Sequence, residues 1–236
     1  MENTLEKLQH ERAQLQNNVL EIEDNDRKAT AQRVQALKEC YEELELVAAA
    51  VAPPTQPEDG MRNPNPAVLT GEFYASYLVV LLLSKNLNDA RFLWKRIAPE
   101  TKQASAPLKA VWEIGKALWT RNIARAYEMM DQPWPGELQQ LIGHLRVSTR
   151  ASMAELLSVA YSKLSFNDAA QALGFAQQQD LVAYCEDLKW QVHTSEQLLQ
   201  PEPLAHNPSH SITLQQLDDL AQHVLHLEQN TVMKLP

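Results

Sequence analysis

Apolar residues recur at spacings of three, four and seven through residues 3 to 51. Leu5, Leu8, Leu15, Val19 and Ile22 form one block; Val34, Leu37, Tyr41, Leu44, Ala48 and Val51 form a second. Such a repeat keeps one seam of a helix turned toward a partner. The blocks are one residue out of phase, with Glu23-Asp24-Asn25-Asp26 between them. That slip predicts either a discontinuity in a coiled coil or a turn between two antiparallel helices. The competing expectation is a marginal amphipathic helix that stays partly frayed. A coiled-coil partner for residues 3–51 is the expected interaction.

The periodicity stops at residue 53. Pro53-Pro54-Thr55-Gln56-Pro57 and Asn63-Pro64-Asn65-Pro66 favour extended backbone and end a helix, so residues 53–67 read as a linker. Met61 lies inside it, and a start there would yield a product with the whole following body.

From residue 68 the pattern predicts a succession of short helices. Residues 71 to 84 are apolar on every side, which places that helix at the centre. Asn88 is the expected cap of a helix carrying Ala90, Phe92, Leu93, Trp94 and Ile97, ending before Pro99. Ser105 and Pro107 open the next, striped by Leu108, Val111, Trp112, Gly115, Leu118 and Trp119. Ile123 to Met130 and the stretch holding Leu138, Leu141, Ile142 and Leu145 supply two more. Short connections between paired helices predict a helical-repeat stack over 68–148, each pair burying its face on the next. No identical sequence repeat accompanies the pattern.

The texture changes after residue 150. Met153, Leu156, Leu157, Ala160, Tyr161 and Leu164 mark a helix; Phe166-Asn167-Asp168 provides a staple and cap for a second, closed by Gly174. A third carries Leu181, Val182, Cys185 and Leu188, and Trp190-Gln191-Val192 with Leu198-Leu199 reads as a hairpin. Three helices followed by a hairpin is the order of a winged helix, expected over 149–200. Residues 201–212 read as a loop. Thr213 then caps a last helix over 213–230 with Leu214, Leu217, Leu220, Ala221, Val224 and Leu227 on one stripe, which must be buried on the body or in a bundle with other chains.

Composition narrows the function. The formal net charge is -9, and residues 1 to 60 hold 13 acidic and 6 basic side chains of the whole, so the first 52 residues read as an acidic extension. The longest uncharged apolar run, Tyr77 to Leu83, is far short of the ~20 residues that span a bilayer, and no secretory signal is expected. Cys40 and Cys185 are too few for a disulfide framework or a thiolate zinc site. The expected setting is intracellular.

No catalytic constellation holds together. His223 and His226 lack a third ligand, and His206 and His210 sit in a Pro- and Ser-containing loop. No Gly-x-Ser-x-Gly elbow and no glycine-rich phosphate loop exists. The expectation is a protein that is not an enzyme, with no cofactor and no metal. The recognition-helix stretch offers Gln177, Gln178, Gln179, Asp180, Glu186, Asp187 and Lys189, a poor match for phosphate. The one basic stretch, Lys85 to Arg125, would meet an acidic protein surface or serve as a solvated outer face. Trp94, Trp112, Trp119 and Trp190 are expected in the core and Trp134, between two prolines, exposed.

The string Ala90-Arg91-Phe92-Leu93-Trp94-Lys95-Arg96-Ile97, the upstream Tyr77–Leu83 run, Ala110-Val111-Trp112 and Leu118-Trp119 resemble the PCI-domain family that includes subunit eight of the COP-nine signalosome. Asn167 to Leu173 with Trp190 looks like that family's winged-helix segment. The resemblance covers about residues 68 to 230. It implies a mainly α PCI fold, a helical-repeat stack followed by a small winged helix. It also implies a scaffolding role in the complex that removes the Nedd modifier from cullin-RING ligases, with the isopeptidase chemistry in a separate metalloprotease subunit. Lateral contact with other PCI subunits would fall on Trp190 and Val192. A C-terminal helical bundle would use Leu214, Leu217, Leu220, Val224 and Leu227. The small PCI subunit of the proteasome lid is the neighbouring alternative, and a winged-helix nucleic-acid binder the alternative from another class. The expected location is cytoplasm and nucleus.

Overall fold

A computed structural model describes residues 2–20, 27–51, 69–194, 196–202, 221 and 224. The chain is mainly α-helical. It begins with α1 (Glu2–Leu20) and α2 (Arg27–Val51). Arg33 donates to the Asn18 carbonyl and the Cys40 thiol to the Leu8 carbonyl, so the two helices run antiparallel. The heptad slip therefore separates the arms of a hairpin. Its seam is covered within the chain: Leu37, Tyr41, Leu44 and Ala48 are fully buried in one core with the helices that follow. A coiled-coil partner for this seam is accordingly corrected to the protein's own body.

The helix α3 (Gly71–Leu83) is the axis of the fold, with every residue from Phe73 to Leu83 buried. The Thr70 side chain caps it by accepting from the Phe73 amide. It packs against α2, α4 (Leu87–Arg96), α6 (Ala106–Trp119) and α8 (Glu137–Ala160). Tyr41 of α2 stacks on Tyr77 with ring centroids 5.2 Å apart and meets Phe73 at the same distance. Gln16 of α1 is buried and donates to Glu137 at 3.0 Å, tying the hairpin to the start of α8.

The cap expected at Asn88 lies at Asn86, whose side chain accepts from the Asp89 amide. Asn86 follows Lys85, which turns the chain at φ 60°. The same turn returns between α6 and α7 (Ile123–Met130): Thr120-Arg121-Asn122 repeats Ser84-Lys85-Asn86, with Arg121 at φ 59° and Asn122 accepting from the Arg125 amide. The closing bonds correspond too, Asn86 N–H to the Leu81 carbonyl at 3.1 Å and Asn122 N–H to the Ala117 carbonyl at 2.9 Å. Each is a left-handed helix end that satisfies otherwise orphaned carbonyls. A structural repeat is thus present where no identical sequence repeat is seen. A short helix not anticipated from the pattern, α5 (Pro99–Ala104), joins α4 to α6, and Ser105 caps α6 as expected.

The repeats stack in parallel. A Cβ on Gly71 would fall 2.5 Å from the Ser105 Cβ, and one on Gly115 would meet Leu82, so α3 and α6 begin and end together. Only glycine permits that approach at position 71.

Then α8 runs unbroken for 24 residues through positions 148–149. Its C-terminal half packs on α9 (Phe166–Leu173), capped by Ser165 and closed by Gly174 at φ 68°. Next come α10 (Gln178–Asp187) and the hairpin of β2 (Gln191–His193) and β3 (Leu198–Gln200). A two-residue strand, β1 (Leu164–Ser165), pairs antiparallel with β3, giving the order β1-β3-β2. Helix, strand, two helices and a hairpin complete the winged-helix arrangement, around a second core holding Leu157, Phe166, Leu173, Leu181, Cys185, Trp190 and Leu199.

Candidate protein-interaction surface

The octet from Ala90 to Ile97 divides by helical face. Ala90, Leu93 and Ile97 are buried, and Trp94 is half-buried, stacked on Trp112 with centroids 4.8 Å apart. Lys102 lies over Trp94 at 5.2 Å. Arg96 forms a two-pronged pair with Glu45 of α2, its Nε donating at 3.0 Å. The Lys38–Asp89 pair at 2.9 Å makes a second link between α2 and α4. The Asp89 hydrogen bond holds the Lys38 ammonium above its ordinary range, against the opposing effect of burial.

The outer face of that octet is different. Arg91, Phe92 and Lys95 are exposed, Phe92 to 60%. Trp119, expected in the core, is 48% exposed where α6 ends. The Arg91 guanidinium lies 5.7 Å from its ring centroid, joining α4 and α6 at the surface. A tryptophan at the last residue of a helix projects past its packed partner, so its stripe position does not bury it. Trp134 departs the other way: it is buried, its indole donating to the Met130 carbonyl at 3.3 Å.

In the winged helix, Trp190 is buried to 4% exposure and Val192 packs on the same small core. The Trp190 ring is thus turned inward, and Val192 is half-buried. Alternation along a strand sends Gln191 and His193 outward, and both are exposed. What β2 does present is a sheet edge, since its only partner among the described residues is β3. Nearby in sequence, Leu156, Val159 and Tyr161 at the end of α8 are large, apolar and at least half exposed. Leu156 and Tyr161 belong to the apolar pattern that predicts this helix, and periodicity alone does not separate its outward members from its buried ones.

The exposed residues of α10 and its flanks carry Asp180, Glu186 and Asp187 with Lys189, a surface of net negative charge. Leu214, Leu217, Leu220 and Leu227, with His206, His210, His223 and His226, lie outside the described residues. Val224 is helical and 50% exposed. Among the described residues, no group of three His, Cys, Asp or Glu side chains could hold a metal ion. No described helix is long and apolar enough to cross a membrane. One open cleft of about 500 Å³ lies between the N-terminal hairpin and the body, lined by residues including Arg12, Glu72, Ser76 and Glu137.

The family model described as CSN8/PSMD8/EIF3K matches residues 68–210. COP9 signalosome complex subunit 8 of Xenopus tropicalis is 30% identical over 200 residues, covering 82% of this chain and 93% of that protein. The Arabidopsis thaliana protein of the same name is 30% identical over 156 residues, covering 66% of this chain and 79% of its own. That of Dictyostelium discoideum is 29% identical over 164 residues, covering 69% and 83%. Covering 82% of 236 residues takes about 194, whereas about 169 lie from residue 68 onward. The Xenopus alignment therefore reaches into the N-terminal segment, which the resemblance read from the motifs did not include. With its helical stack, its small sheet and the match across most of its length, this chain belongs to the CSN8/PSMD8/EIF3K family.

Proposed function

We propose that this chain is a non-catalytic scaffold subunit of a COP9 signalosome. In this reading it supports removal of the Nedd modifier from cullin-RING ubiquitin ligases by a separate metalloprotease subunit, in cytoplasm and nucleus. The observation that carries the reading is the alignment covering 93% of a protein named COP9 signalosome complex subunit 8. The surfaces suit it. An open β2 edge offers main-chain pairing to a neighbouring subunit. The exposed Leu156, Val159 and Tyr161 form apolar surface of the kind that marks interaction sites. Residues 213–230 would join the bundle through Leu214, Leu217, Leu220, Val224 and Leu227.

The test is affinity purification of the full chain from cells, with partners identified and quantified. Stoichiometric recovery of other PCI subunits is expected, with no isopeptidase activity in the isolated chain. Deleting residues 213–230 is expected to release the chain while circular dichroism shows the body still folded. Recovery of proteasome-lid subunits instead would assign it to the other branch of the family, and a chain that stayed monomeric in extract would refute the scaffold role.

A further inference from the structure

We infer that the end of the helical stack formed by the α3–α4 and α6–α7 turns is a docking surface for an acidic protein segment carrying apolar side chains. It lies on elements other than β2, so it stands apart from the sheet-edge contact proposed above.

Parallel stacking of α3 on α6 sets the two repeated turns side by side, and each presents a cation at its left-handed position, Lys85 and Arg121. Arg91, Lys95 and Arg125 extend the patch along α4 and α7. All five are exposed, and none forms an ion pair with a described residue. Three carboxylates of this region are already engaged: Asp89 by Lys38, Glu113 by Lys116 and Glu45 by Arg96. Residues 85–125 hold nine Lys and Arg against three carboxylates, a net +6, in a chain whose total is -9. The rest therefore carries -15. Such segregation favours an acidic segment over residues 85–125 and disfavours it elsewhere.

Charge alone describes a solvated face. The second feature is apolar: Phe92 stands outward between Arg91 and Lys95, and Trp119 lies beneath the Arg91 guanidinium. Two exposed aromatic rings among unpaired cations suit glutamate or aspartate interleaved with leucine or phenylalanine. Arginine and tryptophan are also the residue types that most often carry interface energy. A nucleic acid fits less well, because its evenly charged backbone would run onto the negative remainder of the molecule.

The test uses the full chain and fluorescence anisotropy. The probe is a labelled peptide in which glutamates alternate with leucine and phenylalanine; comparators are the same peptide with lysine for glutamate and a uridine oligonucleotide. The acidic peptide is expected to bind and to weaken at least about fivefold as ionic strength rises to about 0.3 M. Arg91→Glu with Arg121→Glu is expected to weaken it about tenfold or more. Phe92→Ser, which leaves the charge unchanged, is expected to cost about threefold or more. Thermal melting reports on whether each variant keeps its fold, and Lys95→Glu with Arg125→Glu gives an independent charge reversal. Equal binding of the lysine peptide, tighter binding of the oligonucleotide, no binding of the acidic peptide, or indifference of folded variants would each overturn the proposal.

Discussion

The ring of Tyr127 in α7 lies against Gly174 at the end of α9, so closely that a Cβ on Gly174 would fall 2.4 Å from two ring carbons. This contact joins the helical stack to the winged helix. Gly174 also sits at φ 68°, a conformation that L side chains adopt at a cost of about 1–2 kcal/mol. Displacing a packed ring adds about 1–3 kcal/mol. Gly174→Ala is therefore expected to destabilise the protein by about 2–5 kcal/mol, read from urea or thermal unfolding. A loss of only about 1–2 kcal/mol, the backbone strain alone, would mean that Tyr127 is free to move aside.

Arg150 of α8 clasps the same junction. Its Nε donates to the Leu173 carbonyl at 2.9 Å and a terminal nitrogen to the Gly174 carbonyl at 3.2 Å. The guanidinium also lies 3.9 Å from the centroid of Phe175 and 5.8 Å from that of Tyr184. Hydrogen bonds to a charged group contribute about 1.5–3 kcal/mol, so Arg150→Met is expected to cost at least that range. Arg150→Lys is expected to recover under half of it, because an ammonium cannot reproduce the planar fork or its stacking. Full recovery of stability in Arg150→Lys would show that the clasp acts through charge alone.

Lys189 closes α10 at φ 61° in the same left-handed geometry as Lys85 and Arg121, with Trp190 N–H donating to the Cys185 carbonyl at 2.9 Å. A cation there gains about 0.3–1 kcal/mol from the helix dipole, and a non-glycine residue pays strain of similar or larger size. Lys189→Gly is expected to leave stability unchanged or raise it by about 1 kcal/mol. A clear drop in melting temperature would assign Lys189 a contact beyond the turn.

Much of this architecture is legible in the chain because it is set locally. The Ser105 cap, the Gly174 stop and the wholly apolar α3 each follow from residues within one turn of the feature. What escapes is set at a distance. Polar residues from Ser148 to Ser152 interrupt the apolar periodicity, yet the helix continues, with Thr149 and Ser152 donating to the Leu145 and Ser148 carbonyls and Arg150 reaching Leu173 on the winged helix. The strand β1 is two residues long and exists only because β3 pairs with it. Interface candidates chosen for apolarity, Trp190 and Val192, pack on the core. The outward rings, Phe92 and Trp119, lie in a helix and at a helix end whose buried neighbours mask them. The partner of the N-terminal seam, α3, lies beyond a proline-rich linker, where no periodicity connects the two.

That seam makes a prediction of its own. Tyr41 is fully buried and stacks on Tyr77, so Tyr41→Ala removes an aromatic ring at the centre of the contact and is expected to cost about 3–5 kcal/mol. A product beginning at Met61 would lack both α1 and α2 and uncover Phe73 and Tyr77. It is expected to bind a hydrophobic dye and to melt at lower temperature than the full chain. A shortened chain with unchanged melting and no dye binding would show that residues 3–51 do not complete the core of the body.

Burial of ionisable groups sets the response to alkali. Desolvation pushes the Tyr41, Tyr74 and Tyr127 hydroxyls up to about 12 from 10.0. It raises the Cys40 thiol to about 11 and that of Cys185 to about 12 from 9.0. These groups stay protonated in the folded chain at pH values where the unfolded chain releases its protons. Their contribution is therefore fully present below about pH 9, shrinks as pH rises past the unfolded values of 9.0 and 10.0, and is gone above about 12. Melting temperature is expected to fall steeply between about pH 10 and 12, with tyrosinate absorbance rising together with loss of helical circular dichroism. Both thiols are buried, so labelling by a thiol reagent is expected to await the same transition. Ionisation of all the tyrosines near pH 10 with the helices intact would show that solvent reaches this core without unfolding it.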